Sequence, residues 1–181
     1  MQGTGGGDVT TTHPDAPPLA GQTACTVVET IDIPEPNFEH IDPCTPITYA
    51  SPPSGGDHWP IWALYEEHTD VVPREMYVHN LEHGAIVFTY ACDGCDDVRD
   101  AYRAEIATIA DPLCLQTVGP VARVLTTPDP LLDTPMALSA WGATYTATCV
   151  DPPSIHAFVL AHYGNGREPL CNEGEAPPSC D

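Results

Sequence analysis

The run Tyr77-Val-His-Asn-Leu-Glu-His-Gly-Ala-Ile-Val-Phe-Thr-Tyr90 carries both the strongest structural signal of the chain and its densest chemistry. Its second half, Gly84 to Tyr90, is rich in β-branched and aromatic residues and reads as a central strand. In its first half, Tyr77 and Val78 are strand-like, while Asn80 and Gly84 suit a turn. A strand-turn-strand arrangement is therefore expected across 77–90.

The elements on either side fit around that strand. Cys25 to Ile33 has β-branched residues in partial alternation and predicts a strand that Pro34 ends. Residues 51–60, Ser-Pro-Pro-Ser-Gly-Gly-Asp-His-Trp-Pro, must be irregular, because proline fixes φ and glycine frees it. Asp96 to Ala110 opens with acids, has apolar residues at helical spacing and stops before Pro112, so a helix is expected. Val121–Thr126 and Met136–Cys149 read as strands, and Ser154 is a suitable N-cap for a closing helix over 155–163 ahead of Gly164. Strands outnumber helices without alternating with them. The expected class is α+β: a single domain with a largely antiparallel sheet and two or more helices.

The limits of that domain follow from composition. Residues 1–22 are mostly Gly, Thr, Pro and Asp, with too little apolar surface to offset ordering, and are expected to be a flexible tether. The domain proper spans 23–168, and 169–181 forms a tail pinned by Cys171 and Cys180. The chain has 181 residues, 42% of them hydrophobic, which suffices for one core.

Charge narrows the function classes. Five Lys plus Arg against 26 Asp plus Glu give a formal net charge of −21. Such a field repels nucleic-acid phosphates and anionic membranes and attracts cations, so no nucleic-acid partner is expected. The longest apolar runs fall well short of the roughly 18 residues of a membrane span.

Eight cysteines, Cys25, Cys44, Cys92, Cys95, Cys114, Cys149, Cys171 and Cys180, form an even set spread over the chain, which suggests four disulfides and an oxidising compartment. Connectivity is not readable from eight cysteines. Cys92 with Cys95 and Cys171 with Cys180 are plausible local closures. Cys92-Asp-Gly-Cys95 also has the spacing of a zinc knuckle or a redox pair. However, no second close ligand pair accompanies it, and the flanking acids would raise a thiol pKa. A secreted, periplasmic or outer-surface location is expected. The start, Met1-Gln-Gly-Thr-Gly-Gly-Gly7, resembles a processed export product whose lead could follow a lipid-anchored cysteine, as in a lipoprotein.

Chemistry concentrates at His58, His79 and His83. Imidazole is the commonest neutral metal ligand, and histidines four residues apart can converge on one ion. His58 lies on the rigid Pro/Gly loop. The expected function is thus an extracytoplasmic metal-binding protein holding copper or zinc through these three histidines. Glu82 is a candidate to orient an imidazole. Met76 would be a thioether ligand favouring Cu(I), although on a strand it faces away from His79. Trp59 would cover the site or fill the core, and the core is favoured. Residues 79–83 also match the His-x-x-Glu-His of inverted zinc peptidases, but that mechanism needs a helix where a strand-turn-strand is expected. A zinc-dependent hydrolase on the same residues and a metal-free structural or interaction module are the alternatives.

The chain resembles the bacterial domain-of-unknown-function family numbered 3105. The resemblance rests on Tyr49-Ala-Ser-Pro-Pro-Ser-Gly-Gly-Asp-His58, Trp62-Ala-Leu-Tyr65 and Val78-His-Asn-Leu-Glu-His-Gly-Ala-Ile-Val87 with Tyr90. Ala140-Trp-Gly142, Ala157-Phe158 and Tyr163-Gly164 complete the order of motifs. Gly55 and Asp57 stand where the family pattern has serine and proline, which touches loop shape more than the histidine. The resemblance implies exported or membrane-tethered proteins and brings no established activity.

Overall fold

Six strands form one sheet in the order β1-β2-β6-β5-β3-β4, and every neighbouring pair is antiparallel except β3 with β4. The strands are β1 (Asp8–Thr12), β2 (Val27–Ile31), β3 (Ile86–Tyr90), β4 (Val124–Pro128), β5 (Met136–Ala140) and β6 (Ala143–Ala147). Among the described residues, three α-helices join them: α1 (Arg74–Glu82), α2 (Asp96–Ile106) and α3 (Pro152–His162). A computed structural model of the chain describes residues 6–35, 37–92, 94–116 and 121–180. The α+β class with a largely antiparallel, disulfide-stapled sheet is as expected.

Alternation along β3 builds two cores. Ile86 and Phe88 face one way, into a cluster with Leu138, Tyr145, Val98, Tyr102 and Phe158, which places α2 and α3 on that face. Val87 faces the other way, with Leu125 of β4, against Met76, Tyr77, Val78 and Leu81 of α1. The sheet is therefore covered on both sides, and α1 lies on the face opposite the other two helices.

The strand-turn-strand expected at 77–90 is corrected by this arrangement. Tyr77 to Glu82 belongs to α1, and only the second half is a strand. Every residue from Met76 to Glu82 is buried, so the helix shows no apolar stripe by which periodicity could reveal it. Tertiary packing decides its state. Asn80, taken for a turn residue, clamps the neighbouring segment: its Oδ1 accepts from Ala63 N (2.9 Å) and its Nδ2 donates to Ala63 O (2.8 Å). Gly84 ends the helix at φ +84°, and a Cβ there would stand 2.9 Å from the Gly164 backbone.

Other boundaries move less. The expected strand at 136–149 is the hairpin β5-β6, turning at Trp141-Gly142. The cap of α3 is Asp151, whose side chain accepts from Ser154 N (3.1 Å), with Pro152 and Pro153 opening the helix; Ser154 is not the cap. Part of the stretch expected to be a tether is ordered: Asp8–Thr12 pairs with β2, every residue of it exposed. Its stability comes from main-chain pairing of β-branched Val9 and three threonines, so burial, the criterion used on the sequence, misses it. Residues 1–5 lie outside the described residues.

Four disulfides close the molecule: Cys25–Cys149, Cys44–Cys180, Cys92–Cys95 and Cys114–Cys171. The local closure at Cys92 and Cys95 forms. Cys171 and Cys180 do not pair with each other; each anchors the tail to a different part of the domain, so the tail packs as an extended strap.

The segment Glu66–His68 covers the outer edge of β4, with His68 N donating to Thr126 O (2.8 Å) and Thr126 N to Glu66 O (3.0 Å). Glu67 then receives Arg99 and Arg103 of α2, each at 2.6 Å. Hydrogen bonding from Arg103, then from Arg99, outweighs desolvation and pushes the Glu67 pKa down from 4.5 to about 2. A depressed carboxylate stabilises the fold above its unfolded pKa and loses that contribution as pH falls through the folded value. Glu67→Gln should therefore lower the urea midpoint modestly at pH 7, and the gap from wild type should close by pH 2. A gap that stays constant with pH would refute the assignment.

Candidate metal centre

His58 and His40 are brought side by side by a short parallel bridge. Ile41 N donates to His58 O (2.8 Å) and His58 N to Glu39 O (3.1 Å), laying the 37–41 segment along the Pro/Gly loop. That loop is held by Tyr49 Oη, which donates to Asp57 O (2.5 Å), and by Asp57 Oδ1, which accepts from Glu39 N (2.9 Å). His79 and Glu82 come from α1, one turn apart on one face. Together His40, His58, His79 and Glu82 each offer a ligand-type atom within 4.8 Å of all the others. Among the described residues, this cluster could hold a metal ion.

The hydrogen bonds of the rings fix their protons. His58 Nδ1 lies 2.8 Å from Gly56 O, His79 Nδ1 2.8 Å from Trp59 O and His83 Nδ1 2.9 Å from Glu168 O. A carbonyl only accepts, so each Nδ1 must donate, which leaves Nε2 of each neutral ring as a bare lone pair. Backbone carbonyls in this position are the usual partners of metal-ligating histidines. His58 Nε2 and His83 Nε2 are buried and have no hydrogen-bond partner. Burial lowers the His58 pKa against the opposing pull of Gly56 and Glu82, and pushes that of His79 down to about 3, aided by His58 and His83. Both rings are therefore neutral at pH 7.

His58 Nε2 stands 3.1 Å from Glu82 Oε2. Two electron-pair donors at this distance repel unless a proton or a metal ion lies between them. Bonds of about 2.0–2.1 Å to one ion would put neighbouring donor atoms roughly 3–3.5 Å apart. The observed separation falls in that range.

Not every residue singled out in the sequence takes part. His79 and His83 have ring centroids 4.6 Å apart, and Trp62 packs edge-on against both, at 5.1 and 4.9 Å. His83 nevertheless falls outside the four-residue group. Glu82, expected to orient an imidazole, stands 3.1 Å from His58 Nε2 and also offers a ligand-type oxygen within the group. Met76 is on a helix, so it shares a face with His79 rather than opposing it, but its side chain is fully buried in the α1 core. Trp59 fills the same core, its indole donating to Thr45 O (2.9 Å) and its carbonyl receiving His79. With all eight cysteines in disulfides, no thiolate is available to an ion.

The sequence reading missed His40. It stands eighteen residues before His58 with no ligand spacing, and only the parallel bridge brings it in. The helix expected to be missing from the peptidase-like motif is partly present. Residues 79–82 are helical after all, but His79 and His83 do not join a common donor group, and the glutamate between them faces His58.

Fold and site together define a disulfide-stapled α+β domain with a cluster of histidines and a carboxylate, buried except at His40. The family described as "Protein of unknown function (DUF3105)" matches residues 40–178, and the chain belongs to that family. No curated protein and no solved structure matches it.

Proposed function

We propose that the protein is an extracytoplasmic metal-binding protein that holds one copper or zinc ion through His40, His58, His79 and Glu82. The observation that carries this reading is the 3.1 Å approach of the His58 Nε2 lone pair to the Glu82 carboxylate. Three imidazoles and one carboxylate suit Zn(II) or Cu(II), and the lack of sulfur donors disfavours a preference for Cu(I). The four disulfides support an oxidising compartment. No described helix is long and apolar enough to cross a membrane.

The test is metal loading of untagged protein at about 0.5 M salt, which screens weak binding to the acidic surface. One equivalent of zinc or copper should bind. His79→Ala or His58→Ala should weaken it by more than the roughly 10–100-fold that follows loss of an outer partner. His40 is exposed, so His40→Ala should cost less. Cu(II) should also quench the fluorescence of Trp62, which packs on His79. Binding that ignores both buried substitutions and vanishes in salt would assign it to the surface charge.

A further inference from the structure

The chain's five basic side chains other than histidine are all arginines. Four are spent on carboxylates: Arg74 on Asp129 (2.9 Å), Arg99 and Arg103 on Glu67 (2.6 Å each) and Arg123 on Asp111 (2.8 Å). Arg167 alone has no hydrogen-bonded partner among the described residues. Its guanidinium carbon lies 3.2 Å over the ring of Phe38, and Nη1 is 3.7 Å from Glu82 Oε1, too far for a hydrogen bond. Phe38 is two residues from His40, and Glu168 N donates to Glu82 O (3.0 Å), so Arg167 stands at the rim of the donor cluster. Arg167 and His40 are both exposed, so this rim is open to water.

Charge gives this arginine, which makes only a long ion pair to Glu82, a meaning. A divalent ion among three neutral imidazoles and one carboxylate leaves one positive charge, and Arg167 adds a second. These stand at an open rim of a chain whose net charge is −21 and which repels anions elsewhere. Contact with the Phe38 ring holds the guanidinium at the rim, and its N–H groups remain to make a forked contact. Resting on the metal reading above, we propose that the centre binds a small oxyanion of the carboxylate, carbonate or phosphate class beside the ion, with Arg167 as its counter-charge and hydrogen-bond donor.

The experiment uses the 181-residue chain loaded with Cu(II) in a sulfonate buffer, with loading measured first. Acetate, bicarbonate and phosphate are then titrated separately while the visible absorption of the copper is followed. At least one should give a saturable shift. Arg167→Gln should raise its half-saturation concentration by about tenfold or more, and Arg167→Lys, which keeps the charge without the fork, should fall between. No saturable shift with any of the three anions would overturn the proposal, as would equal half-saturation in wild type and Arg167→Gln. An Arg167→Gln variant that only binds copper more tightly also overturns it, since the guanidinium would then merely neutralise Glu82. Failure of the wild type to load copper or zinc removes the metal reading itself, and that outcome is separated at the loading step.

Discussion

Asp111→Ala should destabilise the protein by about 3–5 kcal/mol, the cost of leaving one partner of a buried ion pair without its counter-charge. Asp111 and Arg123 are 1% and 4% exposed, and Arg123 Nε donates to Asp111 Oδ2 at 2.8 Å. The same oxygen accepts from Tyr163 Oη (2.6 Å), and the other accepts from Leu113 N (2.9 Å) and Cys114 N (3.2 Å). Burial acts to raise the Asp111 pKa, but the hydrogen bonds from Arg123, Tyr163 and Cys114 outweigh it and leave it lowered. The stabilisation is therefore complete above the ordinary aspartate range and is lost as pH falls below it. In urea melts the gap between wild type and variant should be flat from about pH 7 to pH 5 and narrow only below about pH 4. Arg123 Nη1 also donates to His83 O (2.6 Å), so the substitution should loosen the end of α1 and weaken metal binding as well. A loss under about 1 kcal/mol would show that the pair is dispensable.

The other large effect is expected from replacing Cys25 and Cys149 together with serine. This bridge joins residues 124 apart in sequence and lies in the main core, with its cysteines 6% and 0% exposed. Chain-entropy arguments give about 5 kcal/mol for a loop of that length and about 2 kcal/mol for the three-residue separation of Cys92 and Cys95. The double variants should therefore rank in that order by denaturant midpoint, measured on fully oxidised protein. The reverse order would mean that the short bridge holds the start of α2 by something other than loop closure.

Where the sequence speaks through local chemistry, the structure follows it. β3, α2, the β5-β6 region and the closing helix are announced by β-branched and aromatic content, an acidic helix start and a glycine stop, and each forms within a few residues of its expected place. The even cysteine count correctly gives four bridges, but pairing is a property of the fold, and Cys171 and Cys180 reach past each other. α1 is hidden because every side chain from Met76 to Glu82 is buried, which erases the helical stripe. The available signals were Pro73 before it, Glu75 in its first turn and Gly84 after it. β1 is hidden for the opposite reason, since it buries nothing. Three of the four members of the donor cluster are legible: His58, His79 and Glu82 stand out in the sequence, whereas His40 joins through a two-residue bridge that no spacing encodes.

The two longest bridges overlap along the chain, with Cys25–Cys149 and Cys44–Cys180 together spanning every peptide bond from residue 25 to residue 180. A protease that cuts once anywhere in that interval leaves two fragments still covalently joined. Nicked protein should run as one species until a reductant is added, with its donor-bearing segments held at close range. A single cleavage is then damage without dispersal.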